Sequence, residues 1–405
     1  MAARGFVIVG AGLAGAKAAE ALRDQGYDGT ITLVGDEQHR PYERPPLSKD
    51  YLAGKAERDS VFVHSADWYG EHDVTLRSGV AVTAMDRAAH RVDLADGQSL
   101  EYDKLLLATG ASPRTLPGAE GVLYLRNIED SDRIREVLGA GGHLIVIGAG
   151  WIGMEVAAAA RQAGLRVTVL ETLELPLLRV LGPEIARAFA TLHTDNGVDL
   201  RLGVKVEQIL TGADGKATGV RLGDGSTIDA DAVVVGIGAA PNTALAEAAG
   251  LDVDNGVVVD AQLRTSDPDI VAAGDVANAH HPMLGRQIRV EHWANALNQP
   301  EVAAATMLGG SRQYDELPYF YTDQYDLGME YIGHGEGYDQ VVVRGDLAGR
   351  EFIAFWLRDG RVIAGMNVNV WDVVDPIKAL IRSGMRVDPD ALANPDTPLD
   401  QVARW

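Results

Sequence analysis

The sequence predicts an α/β protein with two Rossmann-like dinucleotide-binding domains and a smaller C-terminal domain of α+β type. Three observations predict it. Two glycine-rich turns each stand between an apolar strand and an alanine-rich helical run; an acid closes the strand that follows each; and the texture changes to alternating strands and turns past Pro318. One glycine motif is short and says little. Two in the same strand–turn–helix context point to a chain that holds two dinucleotides.

The first unit opens with Phe6-Val7-Ile8-Val9, then Gly10-Ala11-Gly12-Leu13-Ala14-Gly15, then a helical run over 16–22. The first glycine makes the tight turn, the second lets backbone approach a pyrophosphate, and the third lets helix and strand pack closely. The pyrophosphate then rests on the free N–H groups and the positive dipole end of the helix. A ribose-binding acid is expected roughly 20 residues further on, at the end of the next strand; residues 30–37 offer Asp36 or Glu37. The segment His39-Arg40-Pro41-Tyr42-Glu43-Arg44-Pro45-Pro46-Leu47-Ser48-Lys49 contains three prolines. It reads as a rigid charged loop with a capped helical start at Ser48, able to set Arg44 and Lys49 around a ligand. Residues 74–100 read as a small sheet with turns at Asp73, 88–90 and 96–97. Leu105-Leu106-Leu107-Ala108-Thr109-Gly110 reads as a buried strand whose small last residues suit backbone passing close to a ligand, and 113–121 as a connector.

The second unit repeats the plan. Leu144-Ile145-Val146-Ile147 leads into Gly148-Ala149-Gly150-Trp151-Ile152-Gly153, a helical run over 154–163, and a strand ending at Glu171. A carboxylate there bonds a ribose 2′-hydroxyl and repels a 2′-phosphate. Thr172-Leu173-Glu174 supplies no arginine for that phosphate, so NADH is favoured over NADPH. Hairpins are expected around 212–215 and 223–225. The strand of 231–238 ends Gly236-Ile237-Gly238, as 105–110 ends in small residues. Farther on, the strand at 269–273 closes on Gly274-Asp275, a pair that places one carboxylate near a ligand hydroxyl and opens a helix. Past Pro318, strand-like runs at 340–344, 351–357 and 362–368 precede helices from Asp375 and Asp388. The implied division is 1–115 with 245–318 for the first dinucleotide, 116–244 for the second, and 319–405 for the C-terminal domain.

Composition narrows the function. Apolar content of 46% and charged content of 23% are ordinary for a globular chain. The net charge of −22 disfavours nucleic acid and anionic membrane surfaces as partners. There is no cysteine, which excludes disulfides, thiolate metal sites, protein-ligated iron–sulfur clusters and a redox Cys-x-x-Cys. No metal site is expected. A first strand at Phe6 leaves no room for a signal peptide, and no run approaches the ~20 apolar residues of a membrane span. The expected compartment is the cytoplasm.

Taken together, these motifs resemble the FAD-dependent, NADH-using ferredoxin reductases of the glutathione-reductase fold, which serve bacterial Rieske oxygenases and cytochrome P450 systems. The resemblance covers essentially the whole chain. It is carried by residues 10–15, Arg44-Pro45-Pro46-Leu47-Ser48-Lys49, Ala108-Thr109-Gly110, residues 148–155, Gly236-Ile237-Gly238 with Pro241-Asn242, Ala273-Gly274-Asp275-Val276, and Glu291-His292-Trp293-Ala294-Asn295-Ala296. The Arg-Pro-Pro-Leu-Ser-Lys and Glu-His-Trp segments mark this subgroup; the others mark the wider flavoprotein class.

The resemblance implies roles. Gly10, Gly12, Leu13, Ala14 and Gly15 would cradle FAD, with Asp36 or Glu37 on its adenosine ribose and Arg44 near its adenosine portion. Ala108, Thr109, Gly110, Arg126 and Gly274 would reach FAD, Asp275 would hold the ribityl chain, and Glu291, His292 and Trp293 would abut the flavin ring. Lys49 would lie near flavin N5 and pair with Glu155. Gly148, Gly150, Trp151, Ile152, Gly153, Glu155, Glu171 and Arg179 would hold NADH, Glu155 at the nicotinamide carboxamide, with Gly236 and Ile237 on the nicotinamide side. Tyr321 would lie at the flavin edge, where the family often has tryptophan. Hydride would pass from NADH to FAD, and electrons would leave singly for a 2Fe–2S ferredoxin, with rubredoxin second. The ferredoxin would dock near Lys378 and Arg382, one helical turn apart on a helix with Asp375 as N-cap and Pro376 at N1, joined by Arg312. Two other readings share the fold: a NADH-sensing protein acting through partner association, and a monodehydroascorbate-type reductase. Monomer and homodimer are both compatible with it.

Overall fold

The computed structural model describes residues 4–402 and divides into two compact units. One comprises the chain up to Arg44, Arg58–Ser112 and Ala239–Pro318; the other comprises Pro45–Glu57, Pro113–Gly238 and the chain from Tyr319.

The first unit is built on a five-stranded parallel sheet in the order Ile270–Ala272, Lys104–Leu107, Phe6–Val9, Ile31–Val34, Val74–Arg77. Phe6–Val9 lies between its successors on both sides, so the strand order reverses there. That is the crevice where doubly wound sheets take ligands. The register levels the strand ends, with Val9 opposite both Val34 and Leu107. All four residues of Phe6–Val9 are buried, as expected of a parallel strand covered on both faces. Helices Leu13–Asp24 and Trp293–Met307 share the core with the sheet. The unit also holds an antiparallel sheet, Val82–Asp86, Arg91–Leu94, Ser99–Glu101, and a mixed one in which Ala277–His281 runs parallel to Val257–Val259 and antiparallel to Arg286–Arg289.

The second unit repeats this frame with four parallel strands in the order Asp199–Arg201, Arg166–Leu170, His143–Ile147, Ala232–Val235. Helix Trp151–Gln162 packs on it, and the expected hairpins form the sheet Val206–Thr211, Ala217–Leu222, Thr227–Asp229. The same unit carries the C-terminal sheet, antiparallel and in the order Tyr319–Gln324, Leu327–Gly333, Arg361–Val368, Glu351–Arg358, Gln340–Asp346. Its core joins helix Leu178–Asp195, and the fully buried Trp356 donates its indole N–H to the Leu181 carbonyl at 3.1 Å. Among the described residues, no helix is long and apolar enough to cross a membrane.

Three local expectations are corrected. Gly274-Asp275 opens no helix: a turn closed by the Ala277 N–H on the Gly274 carbonyl feeds strand Ala277–His281. Partners on both sides of that strand outweigh the local helical texture. Ser48 ends a 3₁₀ turn, Pro45–Ser48, rather than starting a helix, because the two prolines set φ for the opening positions of the turn. The C-terminal helix starts at Val374, so Asp375 and Pro376 lie inside its first turn, where the proline's missing N–H still costs no bond. Lys378 and Arg382 remain one turn apart on it.

Candidate functional site

The two glycine turns reproduce one another atom for atom in what they exclude. At Gly10, with φ 115°, an added Cβ would meet the Ala108 carbonyl oxygen at 2.0 Å; at Gly148, φ 100°, it would meet the Gly236 oxygen at 2.2 Å. At Gly15 and Gly153 it would fall 2.0 and 2.1 Å from the carbonyl oxygens of Gly10 and Gly148. At Gly12 and Gly150 nothing lies within 4 Å. The outer glycines therefore serve the fold, while the middle ones face open space that a side chain would fill. Gly12 and Gly150 are also the N-caps of their helices; neither has a side-chain cap, and neither first turn contains an acid. Backbone N–H groups are thus left for an anion. The cradles fit two pyrophosphates.

Around the first cradle, Leu13 and Ala14 are buried in the helix start, and a Cβ on Gly274 would lie 3.0 Å from that of Ala14. The Gly274 N–H donates to Oε1 of the buried Gln299 at 2.8 Å, which fixes the loop carrying Asp275. Of the two candidate acids, Asp36 is exposed at the strand end. Glu37 is bound by Arg44 at 2.7 Å and by the Tyr42 hydroxyl. Burial works against the Arg44 charge, but Tyr42, Glu37 and Asp275 outweigh it and hold its pKa above the ordinary value. Thr109 and Asn242 brace the loop Ala108-Thr109-Gly110 reciprocally: the Thr109 hydroxyl donates to the Asn242 carbonyl at 2.8 Å, and the Asn242 amide to the Thr109 carbonyl at 2.7 Å. Glu291 pairs with Arg289 at 2.5 Å. His292 is the N-cap residue and Trp293 the first residue of Trp293–Met307.

The other predicted residues lie in the second unit. Arg126 precedes helix Ile128–Ala140, its backbone N–H held by Asp130 at 2.9 Å, beside a capping box between Asn127 and Asp130. Glu171 closes its strand by accepting the Ala149 N–H at 2.8 Å on one oxygen and the Leu173 N–H at 2.9 Å on the other. The acid thereby braces the second glycine turn from within. Trp151 packs edge-on against Phe189, Ile152 is 44% exposed, and Arg179 is exposed. The Gly236 N–H donates to Ile147 at 2.8 Å, and Ile237 lies against Gly148. A ribose placed at Glu171 would meet a carboxylate that disfavours a 2′-phosphate, so Glu171→Gln should narrow discrimination between NADH and NADPH by roughly tenfold, read as the ratio of kcat/KM values.

At the start of helix Trp151–Gln162 lies a concentrated polar cluster. Glu155, 3% exposed, accepts from Lys49 Nζ at 3.0 and 2.9 Å and from the Ser48 hydroxyl, and from the Thr322 hydroxyl at 2.5 Å. Lys49 Nζ lies 5.2 Å from the Tyr321 ring centroid, so the tyrosine presents its π face to the ammonium. A buried carboxylate is tolerable only when paired and hydrogen-bonded, and here both conditions hold. The sequence motifs located Lys49 and Glu155. They did not locate Ser48, Thr322 or Gln299 as supports, since these act through bonds spanning 107, 167 and 25 residues; the burial of polar side chains is their only signal.

Comparison with known proteins agrees with this geometry. Residues 5–299 match the pyridine nucleotide-disulphide oxidoreductase family, and 319–403 match a reductase C-terminal domain. Putidaredoxin reductase CamA of Pseudomonas putida is 42% identical over 98% of this chain and 96% of its own length. The ferredoxin–NAD(+) reductase component of the anthranilate 1,2-dioxygenase system of Burkholderia cepacia is 44% identical over 98% of both. The crystal structure of the covalent putidaredoxin reductase–putidaredoxin complex matches with a TM-score of 0.95 at 42% identity, covering 98% of each chain. With its two dinucleotide cradles and its C-terminal sheet domain, the chain belongs to the pyridine nucleotide-disulphide oxidoreductase family, whose cofactors are FAD and NAD(H).

Proposed function

We propose that this protein is an FAD-dependent NADH:ferredoxin reductase, delivering electrons singly to a 2Fe–2S ferredoxin that serves a P450 or Rieske oxygenase. The single observation that carries the reading is the pair of matching glycine cradles in a chain without cysteine. A thiol route to a disulphide substrate is closed despite the family's description, so electrons must leave from the cofactor itself. Relatives named as ferredoxin reductases of oxygenase systems point the same way. FAD, when bound, supplies the chemistry of accepting a hydride and releasing its electrons one at a time.

The residues of this chain supply binding and electrostatics. In the first unit the Gly10–Gly15 turn takes the FAD pyrophosphate on the N-terminus of Leu13–Asp24. Asp36 or Glu37 takes a ribose hydroxyl, Arg44 the adenosine portion, and Asp275, set by Gly274 and Gln299, the ribityl hydroxyls. In the second unit the Gly148–Gly153 turn takes the NADH pyrophosphate, and Glu171 takes the ribose. Lys49 supplies positive charge to offset the negative charge that a hydride delivers, and Glu155 keeps that ammonium in one place. Supply of NADH assigns this activity to the cytoplasm.

The proposed docking patch is Lys378 and Arg382 on Val374–Ser383; Arg312, in the first unit, is a separate basic candidate. Arg312 is engaged by Glu301 at 2.6 Å. Reversing Lys378 and Arg382 to glutamate should raise KM for ferredoxin by roughly tenfold and flatten its salt dependence, with NADH-dependent ferricyanide reduction unchanged. The functional reading is tested by NADH-driven cytochrome c reduction, which should require added ferredoxin. Equal rates with and without several ferredoxins would favour a sensing role.

A further inference from the structure

Glu155 is the end of a longer chain. The Thr322 hydroxyl that reaches it at 2.5 Å lies 3.2 Å from Gln324 Nε2; Gln324 Oε1 lies 2.8 Å from His193 Nε2; and His193 Nδ1 lies 3.2 Å from the Tyr325 hydroxyl. Thr322, Gln324 and His193 are at most 1% exposed. His193 comes from helix Leu178–Asp195, while Thr322, Gln324 and Tyr325 lie on and just beyond the first strand of the C-terminal sheet. Tyr325 occupies the turn at φ 58°, a conformation disfavoured for a bulky side chain, and its ring meets His193 edge-on at 5.2 Å.

Proton bookkeeping gives this chain a direction. An ionised carboxylate only accepts, so Thr322 must donate its one proton to Glu155. Its oxygen then accepts an N–H from Gln324, which turns the amide carbonyl toward His193. His193 must therefore carry its proton on Nε2, leaving Nδ1 to accept from Tyr325. Burial keeps the ring neutral, pushing its pKa down to about 4. Running the chain backwards would make Thr322 an acceptor facing Glu155, which would need a proton on the carboxylate. The sense of the chain and the charge of Glu155 are thus linked.

We propose that Tyr325, His193, Gln324 and Thr322 are positioning residues for the Lys49–Glu155 pair, a one-way hydrogen-bond chain that holds the Glu155 carboxylate in a single orientation. The inference rests on the reading of Lys49 and Glu155 as tuning groups for hydride transfer. It also gives the C-terminal sheet a part in the first half-reaction, separate from ferredoxin docking.

The test combines two measurements on the FAD-loaded protein. Nitrogen-15 NMR of labelled histidine, with His193 assigned from a His193→Gln variant, should show neutral imidazole protonated on Nε2, and a tautomer mixture in Tyr325→Phe. Anaerobic stopped-flow with NADH should show Thr322→Val reduced about tenfold more slowly at saturation, with little change in NADH Kd. Thr322→Ser, which restores the hydroxyl, should come within about twofold of the parent. Protonation of His193 on Nδ1 in the parent protein overturns the proposal whatever the variants do. So do equal rates for Thr322→Val and the parent, or equal slowing by Val and Ser, which is a packing effect. Unchanged reduction in Glu155→Gln would overturn the tuning reading and the inference with it. Slowing in Glu155→Gln beside a normal Thr322→Val would overturn the chain alone.

Discussion

Replacing Glu155 by glutamine should slow NADH reduction of the bound flavin by roughly 10- to 100-fold while leaving FAD bound. The carboxylate is buried and takes both its oxygens' bonds from Lys49, Ser48 and Thr322. Glutamine keeps the volume but removes the charge, and its NH₂ group can only donate where one of these donors now points. Lys49→Met should give a loss of similar size. The two residues act as one unit, so the double variant should be no slower than the worse single. Glu155→Ala should in addition destabilise the fold by about 3–5 kcal/mol, since it leaves the Lys49 ammonium desolvated beside unsatisfied hydroxyls. Stopped-flow absorbance and denaturant titration separate the two effects. Additive losses in the double variant would show that Lys49 and Glu155 act independently.

Gly150→Ala should raise the Kd for NADH by at least roughly tenfold with the fold intact, whereas Gly148→Ala should cost stability first. The Cβ at 150 enters open space at the helix N-terminus, where the proposed pyrophosphate would approach; the Cβ at 148 would overlap the Gly236 carbonyl at 2.2 Å, at a residue with φ 100°. Gly12→Ala and Gly10→Ala should repeat the contrast for FAD, the first lowering flavin content in a folded protein and the second reducing folded yield. Flavin absorbance, NADH titration and thermal unfolding report the three quantities. A Gly150→Ala protein that binds NADH as before would remove the nucleotide from that turn.

These expectations rest on parts of the molecule that differ in how legible they are. Phe6–Val9 is a short apolar run bounded by glycine, His143–Ile147 is apolar from Leu144 up to Gly148, and both form interior parallel strands. Spacing within six residues sets the cradles, so local reading suffices. Helix Ile128–Ala140 escaped it because charged residues interrupt its apolar positions; the Asn127 and Asp130 capping box was the available signal. The turn after Asp275 was misread as a helix because its strand partners, at 257–259 and 286–289, lie outside the local window. Gln299, Thr322 and His193 were invisible for a related reason. A glutamine in an alanine-rich helix or a threonine on a strand is locally unremarked, and only tertiary folding sets it against Gly274 or Glu155. Two dinucleotide sites were legible from the glycine turns and FAD from the resemblance to a family, while the supports that hold the Lys49–Glu155 pair were not legible.

The central claim is electron transfer from NADH through FAD to a ferredoxin, and anaerobic double-mixing stopped-flow tests it most directly. Purified flavoprotein mixed with NADH should lose its flavin absorbance rapidly, then regain it as added 2Fe–2S ferredoxin is reduced, at a rate that rises with ferredoxin concentration. Rapid bleaching followed by a long-lived reduced complex that delivers no electrons to any ferredoxin, or a folded protein with no flavin band, would contradict it.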